Sequence, residues 1–232
     1  MRYAVLGTGV VGRTIADKVA SLGHEVVVGT SDPQATLART EPDGYGNPPF
    51  SDWQAQHADV RLLAFAEAAA FAETMINCTA GSGSLEALRA AGAANLAGKV
   101  LIDIANPLDF SQGMPPSLDP VNTDSLGEKI QRSFPDAKVV KTLNTMNAQV
   151  MVDPARVPGE HTVFVSGDDA EAKKAVSELL ASFGWPAADI LDLGDITTAR
   201  GAEMLMPIWL RLWGALGHGD FNFHIVKAHP DA

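Results

Sequence analysis

Arg2-Tyr3-Ala4-Val5-Leu6-Gly7-Thr8-Gly9-Val10-Val11-Gly12 is a short apolar run that passes without a gap into a glycine turn. An apolar-periodic stretch from Arg13 to Leu22 follows, and Gly23 leads from it into Glu25-Val26-Val27-Val28-Gly29. The order reads strand, glycine turn, helix, strand. In a dinucleotide site three glycines at this spacing have separate tasks. The first permits the tight turn, the second lets backbone approach a pyrophosphate, and the third lets helix pack closely on strand. The amides that open the helix, those of Val10 and Val11, then face the phosphates. A glycine turn alone is weak evidence, but in its full strand and helix setting nucleotide binding is the expectation.

Beyond Thr30 the alternation continues. Residues 33–40 read as a short helix, and residues 41–49 carry so many breakers that they form a loop insertion. Helical turns at 52–59 and 67–73 flank a strand at 60–65, and a fourth strand at 75–78 ends in Thr79-Ala80-Gly81-Ser82-Gly83. Helix 84–96 places Leu85, Leu88, Ala91 and Leu96 on one face, and Gly98 closes it before strand 100–104, which ends at Asn106-Pro107. A proline-containing loop at 108–123 precedes helix 124–134, capped by Asp124, and strand 138–143. Strands 162–165 and 189–193 flank helix 169–183, and an apolar helix runs over 198–216. Such alternation predicts an α/β fold, a Rossmann-type doubly wound parallel sheet with helices on both faces. The expected division is a dinucleotide-binding domain over 1–195 and a C-terminal helical segment over 196–232, packed on it and at a dimer interface.

The chain has 232 residues, 46% hydrophobic and 19% charged, as expected of a globular protein. Its 28 acidic against 17 basic residues give a net charge of -11, which opposes attraction to nucleic acid or an anionic membrane surface and favours a small-molecule partner. Cys78 is the single cysteine, so no intrachain disulfide forms; inside Met75-Ile76-Asn77-Cys78 it reads as a buried, inert thiol. No basic, apolar, small-residue leader precedes the first strand, and the apolar segment 202–216 is interrupted by Glu203, Pro207 and Arg211. Neither a signal peptide nor a membrane span is expected, and the chain is assigned to the cytoplasm.

In open α/β sheets ligands bind beyond the carboxyl ends of the strands. Those ends carry Gly7-Thr8-Gly9, Gly29-Thr30-Ser31, Thr79-Ala80-Gly81-Ser82, Ala105-Asn106-Pro107 and Asn144-Thr145-Met146-Asn147. Singly, each set is ordinary turn chemistry; jointly, on one rim, they outline a cofactor crevice. Thr30 stands where an acid would bind a ribose 2′-hydroxyl, which leans toward NADP, with NAD the alternative. Asp32 opposes a phosphate there, and Arg13 and Arg39 are the cations available to offset it.

A carbonyl reductase needs a positioned proton donor. Lys141, within a strand and equally able to face solvent, and Asp103, able to satisfy backbone donors, are the nearest candidates, so no catalytic residue is assigned. His24, His57, His161, His218, His224 and His229 show no metal-binding spacing, and most read as surface or loop. Hydride exchange between nicotinamide and a flavin-like ring needs chiefly two planar rings held face to face. An apolar cover for the second ring is available in the segment 204–213, with Phe221 and Phe223 beyond it.

Several stretches together resemble the NADP reductases that use the deazaflavin coenzyme F420. They are Ala4-Val5-Leu6-Gly7-Thr8-Gly9 with Gly12, Leu22-Gly23-His24-Glu25-Val26-Val27-Val28-Gly29-Thr30, Val165-Ser166-Gly167-Asp168-Asp169 with Lys173 and Lys174, Leu191-Asp192-Leu193-Gly194, and Ala199-Arg200 with Glu203 and Pro207. The first two are shared with many Rossmann proteins; the later ones are more specific. The resemblance implies NADP across the glycine turn, its 2′-phosphate near Thr8 and Thr30, with Ser31 and Ala35 standing where the family has Arg and Lys. It implies a nicotinamide loop at Thr79-Ala80-Gly81 and a deazaflavin against the rim at 144–147. Val140-Lys141-Thr142-Leu143-Asn144-Thr145 also resembles the reductase domain of membrane metalloreductases, which pairs NADPH with a flavin. The implied cofactors are NADP with coenzyme F420, FMN or FAD, held by a homodimer. Gly7, Thr8, Gly9, Val10, Val11 and Gly12 would hold the pyrophosphate side, Thr30 and Ser31 the ribose, and Thr79, Ala80, Gly81, Asn106, Pro107 and Asn144 the nicotinamide rim. Two alternatives stand beside this reading. One is a dehydrogenase of the 6-phosphogluconate or hydroxyacid type, and the other is a non-catalytic NADP-binding redox sensor.

Overall fold

Alternate residues of the opening strand serve opposite faces of one sheet: Tyr3 and Val5 join the apolar layer on one side, Ala4 and Leu6 that on the other. That strand, β1 (Arg2–Leu6), leads through the glycine turn to α1 (Val10–Ser21), then β2 (Glu25–Thr30), α2 (Pro33–Leu37), α3 (Phe50–Gln56), β3 (Arg61–Ala64) and α4 (Phe65–Phe71). Next come β4 (Thr74–Asn77), α5 (Gly81–Ala91), α6 (Ala93–Leu96), β5 (Val100–Asp103), the short strands β6 (Leu108–Asp109) and β7 (Ser117–Leu118), and α7 (Leu126–Ser133). The chain continues with β8 (Lys138–Thr142), α8 (Ala148–Val152), β9 (Val163–Ser166), α9 (Ala170–Phe183), β10 (Ile190–Gly194), α10 (Ala199–Met204) and α11 (Met206–Leu216). This is a computed structural model describing residues 1–44 and 46–228; Tyr45 of the loop insertion and His229 lie outside the described residues.

The main sheet has eight strands in the order β10-β9-β8-β5-β4-β1-β2-β3. From β8 to β3 every neighbouring pair is parallel, which gives the doubly wound core and one rim of carboxyl ends. The expectation of an entirely parallel sheet is corrected at one seam: β9 runs antiparallel to β8, with Lys141 opposite Ser166 and Thr142 opposite Val165. β10 then pairs parallel with β9 through the crossover helix α9. The reversal begins at Leu143, a buried residue with φ of 60°, the left-handed region that ends a strand. The link between β8 and β9 carries the short α8 and a 3-10 turn over Pro154–Arg156 in place of a long crossover helix.

Two apolar layers enclose the sheet. Val5, Val28, Ile76, Ile102, Val140 and Val165 meet residues of α1, α8 and α9 on one face. Leu6, Val27, Met75, Leu101 and Val139 meet α4, α5 and α7 on the other, together with Ile196 and Ala199. Helices depart from expectation at identifiable residues. Gly92, with φ of 90°, divides the expected helix 84–96 into α5 and α6. The expected final helix divides at Leu205, just before the ring of Pro207. Ser125, not Asp124, caps α7: its hydroxyl accepts from the Glu128 amide, while Asp124 pairs with Arg132. No described helix is long and apolar enough to cross a membrane.

Candidate functional site

The glycine turn shows the geometry behind two of the three tasks read from its spacing. Gly7 adopts φ of 121°, and a Cβ there would lie 2.6 Å from the Cys78 carbonyl oxygen. A Cβ on Gly12 would lie 2.1 Å from the Gly7 carbonyl oxygen, so only glycine lets α1 press this closely on the turn. Gly9 has nothing within 4 Å of such a position and leaves its backbone open to a ligand. α1 begins at Gly9 with no side-chain cap and no acid in its first turn, so its opening amides and the positive end of its dipole are left for an anion. α5 begins at Ala80 in the same way, at the neighbouring strand end.

Two cavities meet at Gly9 and at Asp43 of the loop insertion. The first, about 640 Å³, is lined by Thr8, Gly9, Arg13, Thr36 and the stretches 38–43 and 48–50. Arg13 braces it, donating from Nε to the Thr8 carbonyl at 2.9 Å and from Nη1 to the Pro48 carbonyl at 2.8 Å, with its guanidinium over the Phe50 ring. Burial lowers the Arg13 pKa, and the charges of Asp43 and Asp52 work against that shift. Arg39, exposed on the same cavity, makes no side-chain hydrogen bond or ion pair among the described residues. The Thr30 side chain lies elsewhere: it is buried, and its hydroxyl meets that of Thr36 at 2.9 Å. Ser31 is exposed and lines neither cavity, and Asp32 caps α2 through the Ala35 amide at 2.9 Å.

The second cavity, about 610 Å³, brings Val10, Val11, Thr79, Ala80, Gly81, Asn106 and Asn144 to one wall. Gly81 holds that wall together: a Cβ there would lie 2.0 Å from the Asn106 carbonyl oxygen and 3.1 Å from the Pro107 Cα, so Pro107 sits behind the wall. Phe110, Met206 and Trp209 supply apolar cover, with Trp209 stacked on Phe221 at 5.4 Å between ring centroids. Cys78 is partly buried in this wall, and burial pushes its thiol far above the usual range, with Asp103 adding to the shift.

Lys141 does not face solvent. It is fully buried, its Nζ donating to Asp103 Oδ2 at 2.9 Å, to Glu203 Oε1 at 2.8 Å and to the Ala105 carbonyl. Burial opposes its charge, yet the two carboxylates outweigh that effect and raise its pKa. Asp103 satisfies one backbone donor, the Ala105 amide at 3.3 Å, but its principal partners are Lys141 and the Asn77 amide. Sequence reasoning missed Asn77, Ser84 and Glu203. The signal available was a polar residue in an otherwise apolar run, Asn77 in β4 and Glu203 in α10, which demands an interior partner. Among the histidines, His161 is buried against Pro154 and Trp185. His57 stacks on Trp53 and pairs with Asp17, and His24 packs by Tyr3. None of the described histidines lines either cavity.

With this geometry, the relatives of the chain become informative. Residues 2–107 match the family model described as NADP oxidoreductase, coenzyme F420-dependent. A crystal structure of a candidate F420-dependent NADP-reductase from Arthrobacter sp. FB24 shares 65% identity, with a TM-score of 0.93, over 97% of this chain and 99% of that one. The metalloreductase STEAP3 of Rattus norvegicus is 28% identical over 212 residues, 90% of this chain; the chain spans 38% of that protein's length. An imine reductase from Aspergillus terreus, determined in complex with NADPH4, shares the fold at a TM-score of 0.61 and 15% identity, over 93% of this chain and 62% of that one. A full-length match at such identity, joined to the amino-terminal model, leads to one conclusion: the chain belongs to the family of coenzyme F420-dependent NADP oxidoreductases.

Proposed function

We propose that this oxidoreductase exchanges a hydride between NADP(H) and a deazaflavin or flavin, as a cytoplasmic homodimer. The observation that carries the reading is the pair of cavities joined at Gly9. The open glycine and the uncapped start of α1 suit a pyrophosphate at that junction. The first cavity then takes the adenosine end, with Arg39 the free cation for a 2′-phosphate in place of the family's basic residues at Ser31 and Ala35. Gly7 and Gly12 shape the turn, while Thr30 supports the ribose side through Thr36 instead of by direct contact. The second cavity takes the nicotinamide against Thr79, Ala80, Gly81, Asn106 and Asn144, with room under Met206 and Trp209 for a second planar ring.

Bound NADPH supplies the hydride, and the chain's part is to orient it. Among the described residues lining the second cavity there is no His, Lys or Tyr, and the Cys78 thiol is held protonated. This favours ring-to-ring exchange over carbonyl reduction, which needs a proton donor. The family relationship and the metalloreductase similarity support the same choice. The helices α10 and α11, with residues 217–228 after them, would close the cavity and supply the dimer contact.

Titration of the purified protein with NADPH, NADH, coenzyme F420 and FMN, recording binding and hydride transfer separately, tests the reading. NADPH is expected to bind more tightly than NADH and to be oxidised by coenzyme F420 or FMN. Oxidation of NADPH only by a small aldehyde or keto acid would instead establish the dehydrogenase reading. One observation favours the sensor reading: Ile208, Trp213 and Leu216 of α11 are exposed in the single chain, a face for another protein. Tight NADPH binding with no transfer to any acceptor would select it.

A further inference from the structure

Two hydrogen-bond chains end at the wall of the second cavity, and each begins at a group that can only accept. The first begins at Asp103, which is fully buried. Every partner of its carboxylate is a donor: Lys141 Nζ at 2.9 Å on Oδ2, and Asn77 Nδ2 at 2.9 Å and the Ala105 amide at 3.3 Å on Oδ1. The Asn77 amide is thereby fixed in orientation, its second N–H reaching Ser84 Oγ at 3.1 Å. Asn77 Oδ1 accepts from the Thr79 amide at 3.3 Å and from the Thr79 hydroxyl at 2.7 Å. The one proton of Thr79 is thus directed inward. Ser84 Oγ, 2.8 Å from Thr79 Oγ1 and 3.2 Å from the Ala80 carbonyl, has one proton for these two contacts, and whether it gives that proton to Thr79 or accepts from it, the Thr79 hydroxyl donates only inward. Thr79 Oγ1 keeps one lone pair for the cavity it lines.

The second chain begins at the Asn144 carbonyl, which accepts from Asn106 Nδ2 at 2.8 Å. Asn106 Oδ1 then accepts from Asn144 Nδ2 at 2.9 Å, which leaves Asn144 Oδ1 buried and without a hydrogen-bond partner among the described residues. Asn144 lines the same cavity. Both chains therefore terminate in acceptors, Thr79 Oγ1 at the cavity and Asn144 Oδ1 just beneath its surface.

We propose that Asp103, held by Lys141, is a positioning residue that fixes Thr79 Oγ1 as an acceptor on this wall, and that the group seated between Thr79 and Asn144 is the N–H2 of a pyridine nucleotide's carboxamide. The inference rests on the reading above that the nicotinamide occupies this cavity, and it adds the polarity of the contact and the residues that set it. A pyridine ring carrying a carbonyl but no N–H at the same position offers these two acceptors nothing to accept.

The test measures dissociation constants by calorimetry for NADP+, its thionicotinamide analogue, which keeps the N–H2, and its 3-acetylpyridine analogue, which has a methyl group instead. The wild-type protein is expected to bind the thionicotinamide analogue like NADP+ and the acetylpyridine analogue about tenfold more weakly. Thr79→Val removes one acceptor without touching a charge and should shrink that ratio. Asp103→Asn frees the Asn77 amide to turn over and should shrink it too, while Thr79→Ser keeps it. Equal binding of the acetylpyridine analogue by the wild-type protein, or a ratio that survives Thr79→Val, would overturn the proposal while leaving nucleotide binding intact. Failure of all three nucleotides to bind would instead refute the functional reading and this inference with it. Should Asp103→Asn not fold, the wild-type and Thr79 measurements decide the matter alone.

Discussion

Gly9 and Gly12 look alike in the sequence and differ in what surrounds them. A methyl on Gly12 would meet the Gly7 carbonyl oxygen at 2.1 Å, whereas a methyl on Gly9 would meet nothing within 4 Å. Gly9 also has an extended backbone, φ -73° and ψ -178°, which alanine adopts freely. Gly12→Ala should therefore lower stability by on the order of 3 kcal/mol, seen as a fall in melting temperature. Gly9→Ala should leave melting within about 0.5 kcal/mol of wild type. It should nevertheless weaken NADPH binding about tenfold, roughly 1.4 kcal/mol of lost backbone approach. The roles of these glycines were legible because spacing alone dictates them. The role of Lys141 was not: strand alternation places it in β8 without saying that Glu203, far along the chain, returns to meet it.

At the scale of elements, the start of α7 shows how the chain beyond β10 is tied to the sheet. Its first amides find side-chain acceptors: Leu126 and Gly127 donate to the Glu203 carboxylate at 2.9 and 3.1 Å, and Glu128 donates to Ser125 Oγ at 3.1 Å. The Ser125 hydroxyl returns the bond to Glu128 Oε2 at 2.8 Å, and Arg200 Nε reaches the same oxygen at 2.8 Å. The Arg200 hydrogen bond, against the opposing effect of burial and with help from Ser125, holds the Glu128 carboxyl below its ordinary 4.5. A depressed carboxyl contributes stability that is whole above its unfolded value and lost as pH falls through the folded one. Melting curves of wild type and Glu128→Gln should thus differ by about 1 kcal/mol at pH 6 and converge as the pH falls through the folded value, below 4.5. The helices themselves were readable from periodicity and caps. Their exact breaks, at Gly92 and before Pro207, and the short α8, were less so, because tertiary packing decides whether a small residue interrupts a helix.

For the whole molecule, the long apolar periodicities and the glycine turn made the doubly wound core legible from its first thirty residues. The seam between β8 and β9 was not, since an apolar strand reads alike whichever way it pairs. The same holds for α11, whose sequence demands burial while its exposed Ile208, Trp213 and Leu216, at 47%, 46% and 50%, show that one chain does not provide it. If a second copy covers this face, wild-type protein should elute as a dimer in size-exclusion chromatography with light scattering, and Trp213→Glu as a monomer with an unchanged fold by circular dichroism. A monomeric wild type would remove the dimer from the model of action.

The contact between Gly81 and the Asn106 carbonyl, too tight for a single methyl group, has a consequence for how this fold diversifies. Helix α5 cannot shift toward the loop after β5 without collision, nor gain a side chain at that point, so the amide side of the cleft acts as a fixed jaw. The apolar part of the lining, the pliable thioether of Met206 and the rings of Trp209 and Phe110, reaches the cleft through side chains alone. Relatives whose partners differ in bulk are therefore expected to vary along this apolar part, while the Gly81 contact stays the same.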